Sequence, residues 1–100
     1  MPRPRRFRQV NRLPDTDYFV PANMRNSSMN EIVISVEEYE AIRLKDLMQM
    51  DQTEAAALMG ISQATFHRLL SEARKKVAEA IVNGKAIRIY GGTYKMKNNP

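Results

Sequence analysis

Gln63, Ala64, His67, Arg68 and Ser71 recur one, three and four positions apart, so on a helix they would share one face. Their chemistry is that of base recognition. A glutamine pairs in bidentate fashion with adenine, an arginine with guanine or a phosphate, and an alanine offers a methyl-sized contact to thymine. His67 is the single histidine and adds a donor for base or phosphate. Ser62 and Thr65 open the same segment and suit phosphate contact, as do the free N–H groups of a helix N-terminus. Ile61, Phe66 and Leu69 interleave with this polar set and point the other way.

Residues that read DNA in this manner need a second helix packed across the first, joined by a sharp turn. Residues 52–59 supply a short helix rich in alanine, which permits close crossing, and Gly60 permits the turn. Asp51 with Glu54 has the spacing of a capping box for that short helix, and Ser62 is placed to cap the next. That third helix is expected over residues 63–82. Phe66, Leu69, Leu70, Ala73, Val77, Ala80 and Ile81 form its apolar stripe. At 1.5 Å per residue it would be about 30 Å long, some two turns more than a DNA-reading helix needs. Asn83-Gly84 stops it.

Upstream, Ser35 and Glu38 form another capping box. It opens a first helix that turns Val36, Tyr39, Ile42, Leu44 and Leu47 or Met48 to the core and ends near Gln49 or Met50. Residues 31–34 and 85–90 are β-branched or alternating runs and predict two short strands, paired with each other or with a second copy. Tyr18, Phe19 and Val20 predict a brief extended piece pinned by its aromatics. Residues 22–30 predict a loop. The fold class is therefore mainly α: a helix-turn-helix domain of three helices over residues 18–92 with a minor two-stranded β element. A basic arm (1–17) precedes it and a flexible tail (93–100) comes after it.

Charge is segregated along the chain. Residues 1–12 hold Arg3, Arg5, Arg6, Arg8 and Arg12 without an acid; residues 13–67 are net acidic and residues 68–100 net basic, within a total of +5. The ends are the polyanion-seeking parts. The arm, rich in proline and arginine, matches in physical type the arms that enter a narrow minor groove, so Arg3, Arg5, Arg6 and Arg8 are candidate contacts to phosphate or minor groove. Arg74 and Lys75 are further phosphate candidates. Glu72 and Lys76 are placed for an i, i+4 pair.

Other functions find little support. One histidine and no cysteine exclude a His or Cys metal cluster within one chain, and there is no glycine-rich phosphate loop. Glu37, Glu38 and Glu40 sit at the start of the first helix, where they favour its dipole and point in different directions. Neither catalysis nor a cofactor is expected. No apolar run reaches the length of a membrane span, and the cytoplasm is the expected location.

The chain also carries Pro-Arg-Pro-Arg-Arg at its start, Tyr18-Phe19-Val20-Pro21, Glu38-Tyr39-Glu40-Ala41-Ile42-Arg43-Leu44-Lys45-Asp46, Glu54-Ala55-Ala56, Met59-Gly60-Ile61-Ser62, Ala73-Arg74-Lys75-Lys76 and Asn83-Gly84-Lys85-Ala86-Ile87. From Pro2 to about Gly92 it resembles a family of small bacterial and archaeal predicted DNA-binding proteins of unknown function, whose helix-turn-helix looks like region four of sigma factors. It departs from relatives that have arginine where Gln63 stands and cysteine where Phe7 stands. The resemblance implies DNA binding and names no target.

Together these features predict a sequence-specific regulator of transcription that binds double-stranded DNA as a homo-oligomer, with a dimer favoured. Two alternatives remain: a protein-interaction module that touches RNA polymerase, and an RNA binder. The second lacks an aromatic stacking platform.

Overall fold

The computed structural model describes residues 7–22 and 30–96. Its strands are β1 (Arg8–Val10), β2 (Tyr18–Phe19), β3 (Glu31–Ile34), β4 (Ala86–Ile89) and β5 (Tyr94–Met96); its helices are α1 (Val36–Ile42), α2 (Gln52–Met59) and α3 (Gln63–Asn83). The chain is thus mainly α with minor β. β3 and β4 pair in parallel, Glu31 opposite Ala86 through Ile34 opposite Ile89. A parallel pair needs a crossover, and here the crossover is the entire helical unit between residues 35 and 85. β2 joins the other edge of β4 antiparallel, and β1 pairs in parallel with β5 in a separate two-stranded sheet.

Local signals set the helix ends. Ser35 Oγ accepts the Glu38 N–H at 3.1 Å while Glu38 accepts the Ser35 N–H at 2.9 Å, so the first capping box forms. Gly60 (φ +69) ends α2 and Gly84 (φ +64) ends α3, both in left-handed backbone that a Cβ would strain. The Asp51–Glu54 box does not form: Asp51 has the cap conformation, but its side chain makes no cap hydrogen bond.

α1 continues as one π-helical turn, Arg43–Leu47, and Gln49 then takes φ +60. The wider turn inserts an extra residue into the helical repeat and rotates the side chains beyond it. Leu44 stays buried, whereas Leu47 and Met48, expected in the core, are 74% and 54% exposed. Two apolar clusters result. Ala41, Leu44, Ala55, Ala56, Met59, Phe66 and Leu70 fill the space among the helices, and Val10, Val36 and Ile89 gather between α1 and the strands.

Both ends of the described chain are more ordered than the sequence suggests. Residues 8–10, assigned to the basic arm, are β1, and Tyr94–Met96, assigned to the flexible tail, are β5. What holds them is a set of buried acids on α1. Glu37, Glu38 and Glu40 are 3%, 6% and 1% exposed, not solvated first-turn charges. Glu37 accepts from Arg8 Nη1 and from the Thr93 N–H, each at 3.1 Å. Glu38 accepts Lys76 Nζ of α3 at 3.0 Å. Glu40 takes Arg43 in a bidentate pair (2.9 and 3.0 Å) and also the Asn11 N–H at 3.0 Å. Among the described residues no buried side-chain nitrogen or oxygen lacks a partner.

Removing one member of such a pair leaves the other charge buried and unpaired. Glu40→Ala should therefore lower stability by about 3 kcal/mol or more, read as a fall in the urea midpoint. Gly92 has φ +112, and a Cβ there would collide with Glu37 Oε1. Gly92→Ala should cost about 1–3 kcal/mol in the same assay.

Candidate nucleic-acid interface

α2, the turn at Gly60 and α3 meet around Phe66, which is fully buried, with Met59 and Leu70 beside it. That packing fixes the rotation of α3. Gln63, Ala64, His67, Arg68 and Ser71 are all exposed, while Phe66, Leu70 and Ala73 are buried on the opposite side. The structure thus brings the four candidate base readers, Gln63, Ala64, His67 and Arg68, onto one open face together with Ser71. Ser62 caps α3 by accepting the Thr65 N–H at 3.0 Å, and its hydroxyl donates to Thr65 Oγ1. Both hydroxyls stand at the helix N-terminus.

The cations sort into engaged and free. Arg74 is 54% exposed on its side chain, yet it pairs through two nitrogens with Asp46 at the end of the π turn. Its guanidinium holds the Asp46 carboxyl below the usual aspartate range, chiefly through the hydrogen bond, and is itself pushed up. Lys76 bonds Glu38 of α1, not Glu72 as spacing suggested. Arg68 and Lys75 are exposed and have no acidic partner among the described residues.

Arg8 behaves differently from the rest of the arm. Its side chain is 14% exposed and committed to Glu37, so it anchors the arm and is not one of its free ends. Arg3, Arg5 and Arg6 lie outside the described residues. The place where the arm departs is nonetheless defined. Arg8 lines an open cleft of about 300 Å³ together with Thr65, Arg68, Glu72, Lys76 and Gly92. The neighbouring Gln9 packs over the turn, with its Nε2 3.4 Å from where a Cβ on Gly60 would lie. Phe7, next out along the chain, is 61% exposed. The root of the arm therefore borders the first two turns of α3.

Residue spacing gave no sign of this anchoring, because Glu37 lies 29 positions from Arg8 and 56 from Thr93. The nearest available signal was the cluster of three acids immediately after a capping serine, on a helix that also had to face a core.

The arrangement defines a small, mainly α domain that presents a polar helix face beside a basic N-terminal arm. The chain belongs to the family described as "Protein of unknown function DUF134", which it matches over residues 1–97. It is 49% identical to a UPF0251 protein of Caldanaerobacter subterraneus, covering 96% of this chain and 81% of the relative. A UPF0251 protein of Pelotomaculum thermopropionicum is also 49% identical, over 96% of this chain and 73% of the relative. One from Dehalococcoides mccartyi is 46% identical over the whole chain and 86% of its own length. No solved structure matches the chain. No described helix is long and apolar enough to cross a membrane.

The Asp46–Arg74 pair gives a pH signature. Because the folded Asp46 pKa is lowered, its stabilisation is full above about pH 4, where an unfolded aspartate ionises. It is lost as pH falls through the lower folded value. For so exposed a pair it should amount to less than about 1 kcal/mol. Asp46→Asn should thus be slightly less stable than wild type in urea at pH 7, with the difference vanishing in acid.

Proposed function

We propose that the protein is a sequence-specific double-stranded DNA-binding regulator of transcription in the cytoplasm, with α2, the Gly60 turn and α3 acting as a helix-turn-helix. The observation that carries this is the meeting of two independent features at one place. Arg68, at the edge of the open face of α3, and Arg8, at the root of the arginine arm, line a single cleft. In this arrangement α3 enters the major groove by its N-terminal half, and Gln63, Ala64, His67 and Arg68 reach base edges. Ser62, Thr65, Ser71 and Lys75 lie toward the phosphates, together with the α3 N-terminus.

Arg3 lies four residues before Phe7, a separation that extended chain spans with about 14 Å. From beside Arg68 that reach covers an adjacent minor groove. Arg3, Arg5 and Arg6 then act there by charge and by fit to a narrow A·T tract. Arg74 contributes little to phosphate binding while Asp46 holds it. Within the acidic middle of the chain, Glu37, Glu38 and Glu40 offer the polyanion little opposition, because they are buried against their own cations.

Affinity for random duplex DNA should fall steeply with rising salt, in proportion to the phosphates contacted. A flat response in a fluorescence-anisotropy salt series would refute DNA binding. Gln63→Ala and Arg68→Ala should each relax preference at particular base pairs of a selected site by about 1–3 kcal/mol. Both side chains are exposed, so thermal melting should be unchanged.

A further inference from the structure

α3 changes character along its length. Its exposed face is polar from Gln63 to Lys75 and becomes apolar beyond Ala78, where Ile81 and Val82 are 72% and 80% exposed. Beside Ile81, Phe19 and Val20 of the β2 segment are 51% and 42% exposed. Phe19 also borders three adjoining clefts. One runs along Val20, Ile81 and Ile87; the next, apolar and about 210 Å³, along Tyr39, Ile42 and Val77; the third ends at Leu47 and Met48. The result is a continuous apolar trough with projecting ridges at both ends, far larger than scattered surface residues would make.

We infer that this surface is the interface with a second copy of the same chain, related by a two-fold axis. Charge supports that occupant. The exposed charged residues at the rim are already matched in sign: Arg12 with Asp15 and Lys85 with Glu79. A second copy meets such a balanced rim without net repulsion, while a strongly charged partner would leave half of it opposed. Ridge and trough lie on the same surface, as an isologous contact requires. Ala80, next to Ile81 on α3, is buried within the chain and stays outside this interface.

The spacing fits the proposed DNA reading and is the only support that rests on it. Ile81 lies fourteen residues beyond His67 on one helix, or about 21 Å. Two copies meeting near Ile81 would hold their reading residues at most about 42 Å apart. Tilted helices shorten that toward the roughly 34 Å between half-sites one DNA turn apart.

Sedimentation of the full chain without DNA tests the interface independently of any DNA activity. Wild type should sediment as a dimer, and Ile81→Glu and Leu47→Glu should each raise the dimer dissociation constant by about tenfold or more. Both side chains are over 70% exposed in the single chain, so circular dichroism should show an unchanged fold. A wild type that stays monomeric at all concentrations would overturn the proposal, including the case in which another part of the chain covers the trough. So would a dimer that neither substitution weakens.

Discussion

Three carboxylates on one short helix hold this structure together. Glu37, Glu38 and Glu40 of α1 each bind a different segment of the chain: the β1–β5 pair, α3, and the π turn with the strand exit at Asn11. Buried charges tolerate no unpaired state, so each contact must form in full or the segment must separate. That makes α1 a hub whose specificity comes from polar satisfaction, while the apolar clusters on either side supply most of the burial. A chain without cysteines, with a core of mainly small side chains, gains a defined arrangement in this way.

The same contacts organise the surface charge. By absorbing Arg8, Arg43 and Lys76, the buried acids remove these cations from the exterior, and Asp46 does the same for Arg74. Free positive charge on α3 is then confined to Arg68 and Lys75, beside the polar strip. Glu38–Lys76 and Asp46–Arg74 grip α3 at positions two residues apart, and so on different sides of the helix. The rotation of that strip is therefore set by ion pairs as well as by Phe66. The arm is clamped at Arg8 and Gln9, beside the first turns of α3.

Local chemistry was legible in the sequence. Ser35, Ser62, Gly60 and Gly84 act where their types and spacing placed them, and the apolar stripe of α3 gave its buried face as far as Ala80, with Ile81 the exception at 72% exposed. So did the β3 and β4 segments, whose partnership within one chain was one of two open choices. Long-range partnership was not legible. Nothing near Arg8 distinguishes it from Arg3 or Arg5; its acid lies on another element. Asp51 with Glu54 satisfied a local rule without forming the box, because motif spacing does not fix side-chain orientation. Leu47 and Met48 misled through periodicity, since a π turn shifts the repeat by one residue and no residue type announces it. Glu72–Lys76 lost to a buried acid, which offers a lysine far more than an exposed neighbour does.

The central claim is that one face, built from the start of α3 and the clamped arm, reads duplex DNA. Selection of bound sequences from a random duplex library with the full chain tests it most directly. The expected result is enrichment of a short core motif flanked by A·T-rich steps where the arm would lie. Recovery of sequences indistinguishable from the starting library would contradict it.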